Sequence, residues 1–389
     1  MSALITVFKK ELRDMFRDRR TVMISLVIGT LLGPLLMFGM LKLIVNRAST
    51  QQEKPLVLPV VGAEHAPNLV NWLKGQNIVI KPAPINIDAA IADQSEDVVM
   101  RISPDFGKQW RKSLPAEVEL IHDSTRQDAS IPVERIENLL ENYGRTVGTL
   151  RLLARGVSPS AMQTVQISHR DLATPQSRAG QILSFLPYLL ILTAFLGGAY
   201  LIIDVTAGER ERQSLEPLLA TPASRSAIMS GKILAACAFG MISLIISLMA
   251  FKICFLFSTG FGVKVELLMG TILLLLVVLI PILLIGACLL TLIAASVKSV
   301  KEAQSYMSIL MMLPLLPTII LMVNPVKNQL WMFAVPFLSQ NQMILKLVRG
   351  EVISSAEWAV YLSAGFGLAA ILWAIAARLY HREKLAISA

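Results

Sequence analysis

Between two long apolar runs lies a short stretch crowded with charge: Glu209, Arg210, Glu211, Arg212 and Glu216. Placing one Asp, Lys or Arg at the centre of a bilayer costs about 2.5 to 3.5 kcal/mol, so the stretch is expected in water, held against a membrane face by the runs on either side. Ser214 can cap a helix at its start, Pro217 fits an early helical turn, and Pro222 favours a stop soon after Ala220. On such a helix Leu215, Leu218 and Leu219 fall at i, i+3 and i+4 and make one apolar stripe bordered by charge. The chemistry on offer is recognition rather than bond-making. Two readings stand: a turn lying on the lipid surface, or a small amphipathic helix seated in a protein groove.

No catalytic set assembles elsewhere. A phosphate-binding loop around Gly231 and Lys232 would need Gly at position 226 and Ser or Thr at position 233, where the chain has Ser226 and Ile233. Lys232 is therefore expected as an anchor at the inner end of a membrane helix. Cys237, Cys254 and Cys288 all lie inside apolar runs, so neither a disulfide framework nor a Cys-based zinc site can be built from them. His65, His122, His169 and His381 are too scattered to read as metal ligands, and no nucleophile motif accompanies the Ser, His and Asp residues of the middle segment.

The 389 residues are 54% hydrophobic and 16% charged, with a mean hydropathy of +0.61, and the apolar residues are clustered, which is not a soluble globular composition. Residues 47–178 carry 15 basic and 15 acidic side chains, so the whole excess of +9 lies in the apolar portion and its flanks. Basic residues mark the cytosolic ends of membrane spans in this way, and nucleic-acid binding is rejected.

The positioning elements follow from periodicity. Residues 1–21 set Leu4, Ile5, Phe8, Leu12, Met15 and Phe16 at helical spacing among Lys and Arg, an interfacial helix in the headgroup plane. Residues 22–45 are long enough to span and too long for a signal-peptide core; their Gly29 and Gly33 suit a close helix approach. Residues 46–178 alternate β-rich runs (56–61, 78–80, 98–102, 118–121) with helical patterns (68–74, 87–93, 131–155), which predicts a small α/β domain on the extracytoplasmic side and a return strand over 164–169. Residues 179–389 then hold five further spans. The first of these, 181–203, is expected to be broken by Pro187, loosened at Gly197 and Gly198, and ended by Asp204. A cytosolic coupling loop covers 204–226, and spans over 228–257 and 265–297 lead to a second inner turn over 298–304. After a span over 305–323 come two apolar stretches, 328–335 and 338–348. Each is far below the roughly 20 residues a crossing needs, and with Pro336 between them they predict a re-entrant hairpin within 326–348 before the last span, 357–379. The fold class is an α-helical polytopic membrane protein with six transmembrane helices, an interfacial helix, a re-entrant hairpin and an α/β extracytoplasmic domain.

The run from Gly208 to Pro222, Gly-Glu-Arg-Glu-Arg-Gln-Ser-Leu-Glu-Pro-Leu-Leu-Ala-Thr-Pro, resembles the loop of ABC type-2 permeases, commonly Gly-Glu-Arg-Glu-x-Gly-Thr-Leu-Glu-x-Leu-Leu-x-Thr-Pro. Ser214 in place of Thr keeps a capping oxygen; Gln213 in place of Gly removes a flexible joint. Nearly the whole chain is similar to the sodium-efflux permeases of that family, and Val-Lys-Ser-Val-Lys-Glu-Ala-Gln at 297–304 to their second inner loop. The resemblance implies a non-catalytic permease subunit of an ABC exporter in the bacterial cytoplasmic membrane, both termini cytosolic, with sodium ions the implied cargo. ATP and Mg would be bound by a separate ATPase subunit, coupled through Glu209, Arg210, Glu211, Arg212, Ser214, Leu215, Glu216, Leu218, Leu219, Pro222 and Glu302. A second permease protomer, identical or paralogous, would enclose the pathway, since no internal duplication is visible.

An ion cargo would need neutral oxygen ligands. Candidates are Ser184, Thr193, Ser243, Ser247 and Thr291, with Ser339, Gln340 and Asn341 at the hairpin bend; each hydroxyl can also bond back to its own helix. A lipid, drug or other amphipathic molecule sliding along an apolar seam is the alternative cargo. A gradient-driven transporter would favour ionisable groups near the midplane, whereas Lys42, Asp204, Lys252 and Glu266 fall near span ends. A membrane-anchored ligand-sensing scaffold would need no ATPase at all.

Overall fold

In the computed structural model residues 3–53, 55–162, 183–214, 217, 221–257, 267–323, 326 and 328–381 are described. The chain forms two compact units, Met1–Leu43 with Leu172–Ala389, and Ile44–Asp171.

The first unit is helical because a segment in lipid must satisfy its backbone polar groups internally. Among the described residues six helices are long and apolar enough to cross a membrane: Leu26–Leu43, Leu186–Glu211, Arg225–Leu256, Met269–Ser296, Val300–Leu321 and Ser355–Tyr380. The second, third and fourth spans have 56%, 50% and 61% of their apolar windows buried, against 17%, 17% and 22% for the first, fifth and sixth. The former therefore make the centre of the unit, and the latter keep broad apolar sides free for lipid or another chain.

Several expectations about these helices are corrected. Pro187 does not break the second span; it sits in the first turn of Leu186–Leu196, where its missing N–H would have had no intrahelical partner. As expected, the helix is interrupted at Gly197 and Gly198, between Leu186–Leu196 and Ala199–Ile203, and the same glycines allow close approach: a Cβ on Gly198 would lie 2.4 Å from the Ala236 carbonyl oxygen of the third span. Asp204 does not end the span, since the helix runs on through a π-helical turn, Asp204–Gly208, to Glu211. The turn expected over 298–304 is already helix from Val300, capped by Ser299, and that helix is interrupted at residues 311–314, before Leu315–Val323, where Pro314 lacks an N–H. The first limb of the expected hairpin is a single 3-10 turn, Leu330–Ala334, and only Leu338–Arg349 is an α-helix.

The second unit carries a four-stranded sheet of β1 (Leu56–Val61), β2 (Ile78–Pro82), β3 (Val98–Ile102) and β4 (Val118–His122), in the order β2-β1-β3-β4. β1 is parallel to β2 and β3, with helical crossovers, and β4 closes the edge antiparallel to β3. Leu58, Val60, Ile78, Met100 and Ile102 from the sheet pack with Leu69, Leu73, Phe106 and Ile136 from the helices. The long helix Gln127–Ala154 supplies Ile136, Leu139, Leu140 and Tyr143 from one side, as its periodicity requires. A short helix, Phe106–Arg111, was not legible in the sequence, being under two turns long with Gly107 inside it. The return strand expected over 164–169 lies outside the described residues.

Candidate functional site

The second span delivers the charged motif. In the π-helical turn Asp204–Gly208 each turn takes one residue more than in an α-helix, which re-aims the side chains that follow. Glu209–Glu211 completes the helix and Gln213, at φ +57°, ends it in the left-handed region. The Ser214 N–H donates to the Glu209 carbonyl (2.9 Å) and the Gln213 N–H to the Arg210 carbonyl (3.1 Å), the paired bonds of a Schellman cap. Ser214 Oγ also donates to the Glu209 carbonyl at 3.2 Å, so this hydroxyl helps to close the preceding helix.

Glu211 and Arg212 stay exposed, as expected of a stretch in water, whereas Glu209 and Arg210 are partly enclosed, and all four find partners within the chain. Arg210 Nη1 donates to the carbonyls of Ala295 (3.2 Å) and Val297 (3.1 Å), where the fourth span ends. Glu211 Oε2 accepts the Val300 N–H at 2.9 Å, where the fifth begins. A cation at a helix C-terminus and an anion at an N-terminus each oppose the local helix dipole. Arg212 Nη2 pairs with Asp204 Oδ1 at 2.9 Å. Glu209 Oε2 accepts from Lys232 Nζ, which also donates to the Val205 carbonyl at 2.5 Å. Distant elements supply the partners of Glu209, Arg210 and Glu211, and the same span supplies that of Arg212.

Lys232, expected as an anchor at the inner end of the third span, is 0% exposed, at the centre of a buried charge cluster. Lys10 Nζ, from the N-terminal helix Ala3–Arg17, lies 3.1 Å from Glu11 Oε1 and 3.6 Å from Glu209 Oε1. Glu11 is only 3% exposed. The N-terminal helix reaches the cluster because Gly231 has no side chain; a Cβ there would lie 2.9 Å from the Leu4 carbonyl oxygen. Burial pushes the Glu11 carboxyl above the usual carboxylate range, against the pull of Lys232 and Lys10. Burial lowers Lys10, but the Glu11 carboxylate, followed by Glu209 and Asp14, more than offsets it and holds the amine above its usual value. A cavity of about 560 Å³ opens beside the cluster, lined among others by Lys10, Asp14, Asp204, Arg212, Ser214 and Gln304. Sequence reasoning missed Glu11, though it falls on the apolar stripe of Phe8, Leu12 and Met15 at helical spacing.

Leu215, Glu216, Leu218 and Leu219 lie outside the described residues; Pro222 is exposed. Glu302 is used within its own helix: its Oε2 accepts the Lys298 N–H at 3.0 Å while its N–H donates to Ser299 Oγ at 3.2 Å.

The pathway candidates do not converge. Thr193, Ser243 and Thr291 donate back to Leu189, Phe239 and Ala287 at 2.8, 3.2 and 2.7 Å, and Ser247 Oγ is buried without a partner among the described residues. Gln340 Oε1 accepts from the Phe337 N–H (2.6 Å) and Ser339 Oγ (3.1 Å), fixing a bend in which Phe337 has φ +65°. Asn341 Nδ2 donates to Thr318 Oγ1 at 2.9 Å, tying this helix to the fifth span. Of the eight, Ser339 and Gln340 bond each other, and Ser184 and Asn341 share the wall of a second cavity of about 170 Å³.

A family profile described as "ABC-2 family transporter protein" matches residues 24–378. The chain is also similar to the "ABC transporter permease protein NatB" of Bacillus subtilis (strain 168), at 28% identity over 238 residues. That alignment covers 61% of this chain and spans 60% of the relative's length.

Proposed function

This chain belongs to the ABC-2 transporter family, and from that premise we propose that it is the transmembrane permease subunit of an ABC exporter, driven by a separate ATPase that binds ATP and Mg. The observation that carries the reading is the charge-locked junction. Through Glu209, Arg210 and Glu211 one short segment holds Lys232 on the third span, the end of the fourth and the start of the fifth, and Lys10 on the N-terminal helix. A displacement applied to the segment that follows Ser214 is thereby passed to four elements at once.

In this proposal the junction faces the cytosol, as do both termini, in the bacterial cytoplasmic membrane. The α/β unit lies on the other side, Leu330–Ala334 and Leu338–Arg349 dip into the membrane and return, and the pathway runs between two protomers. The helix read over residues 214–220 seats its Leu stripe on the ATPase. Replacing Leu215 and Leu218 with Asp should abolish copurification of the cognate ATPase while the permease still elutes as a single species. Undiminished capture would overturn the proposal.

Similarity to NatB, with the resemblance to sodium-efflux permeases, makes sodium the first cargo to test. A specific observation favours an amphipathic cargo instead: Thr193, Ser243 and Thr291 are already bonded within their own helices, while Leu316, Ile319, Ile320 and Val323 of the fifth span stand exposed. Uptake of radioactive sodium into inverted vesicles, compared with that of an amphipathic dye, separates the two.

A further inference from the structure

The second cavity holds a polar side chain of the helical unit that its own chain leaves unanswered. Gln342 is 6% exposed, lines the cavity, and makes no hydrogen bond among the described residues. Buried amides are nearly always bonded, so Gln342 presents a donor and an acceptor to whatever fills the space. Beside it Asn341 has committed its N–H to Thr318, leaving its carbonyl oxygen without a donor.

Among the described residues Arg349 is the only charged side chain in the wall. Its guanidinium is 3.7 Å from Glu351, a loose and solvent-exposed pair, whereas the neighbouring Lys346 is tightly matched to Glu357 at 2.5 Å. The uncommitted charge at this site is therefore positive. The rest of the wall is apolar: Leu321 and Leu345 inside, with Phe185 and Val326 standing 46% and 42% exposed. This wall adjoins the exposed apolar side of Leu315–Val323. One pocket thus combines an amide without a hydrogen bond among the described residues, a loosely paired cation and an apolar wall open to the surface.

We propose that this cavity, between the start of the second span, the end of the fifth and the helix Leu338–Arg349, binds the oxyanion headgroup of an amphipathic molecule. Gln342 and Arg349 hold the headgroup, and the tail lies along Phe185, Leu321 and Val326. The inference rests on the exporter reading and names the cargo class that the site would select.

Native mass spectrometry of the detergent-purified chain tests it, with phosphatidylglycerol, phosphatidylcholine and inorganic phosphate as probes. Wild type should retain phosphatidylglycerol in preference to phosphatidylcholine. Gln342→Leu and Arg349→Gln should each weaken that adduct about tenfold, and Arg349→Gln should also remove the preference. Arg349 sits at the exposed rim, so its substitution leaves the packing intact if Gln342→Leu misfolds. Equal retention of both lipids, or no change in Arg349→Gln, would overturn the proposal; inorganic phosphate displacing the lipid at equal concentration would replace it with a free-anion site. ATPase capture from the same preparations reports separately: capture without lipid discrimination sinks this inference alone, and discrimination without capture sinks the exporter reading alone.

Discussion

Lys232 shows how much one residue's meaning depends on its surroundings. In sequence it is a cation flanked by Gly231 and Ile233 near the start of an apolar run; in the structure it is enclosed, bonded to Val205 and Glu209. Removing one member of a buried ion pair strands the other and typically costs about 3 to 5 kcal/mol. Lys232→Met should therefore lower the melting midpoint sharply, and adding Glu209→Leu should recover most of the loss. If the double variant melts no higher than the single one, the pair is not the source of the effect. Glu11 gives a pH dependence of defined sign. Its carboxyl lies above the usual range, so the folded state holds this proton more tightly than the unfolded chain does. That contribution is fully present below the ordinary carboxylate range and is lost as pH rises through the raised value. With Lys10, Asp14, Glu209 and Lys232 facing it, the N-terminal helix should gain hydrogen-exchange protection, corrected for intrinsic rate, on moving from mildly alkaline to mildly acidic pH. Glu11→Gln should flatten that gain. Neither role was legible in the sequence, because each needs partners brought from a different helix.

At the scale of elements, local rules carried further. The β-rich runs, the long amphipathic helix and the six apolar stretches are visible because burial imposes a period of two on strands and 3.6 on helices. Boundaries were harder. The second span passes Asp204 because Arg212 pairs with it, and the fifth starts early because Ser299 and Glu302 cap it. The family's usual Gly at position 213 is explained by the left-handed cap that Gln213 adopts here. An L-residue in that conformation costs about 1 to 2 kcal/mol, and Gly avoids most of this. Gln213→Gly should raise the melting midpoint of the solubilised protein and Gln213→Val should lower it. An unchanged midpoint in both would mean that the cap is not formed in solution.

At the scale of the molecule, the α/β unit has its own sheet and core, so residues 55–162 produced alone should fold. Its aromatic cluster, with Phe106 stacked on Trp110 at 5.5 Å, Trp110 stacked on Tyr143 at 5.9 Å and Trp72 tilted against Tyr143 at 5.2 Å, should produce near-ultraviolet circular dichroism that disappears in one cooperative melt. A fragment without that signal would show that the unit depends on the rest of the chain. By itself the sequence determined the membrane setting, the number of spans, the α/β unit and the position of the charged loop. All of these follow from composition and local periodicity, which each segment carries within itself. Only the tertiary structure decided that Glu209 closes on Lys232 while Arg210 and Glu211 bond the ends of neighbouring spans, that Thr193, Ser243 and Thr291 bond within their own helices, and that Gln342 faces a cavity unpaired. Whether a polar group is satisfied depends on what the fold places opposite it, and residues far apart in the chain do not declare that pairing in advance.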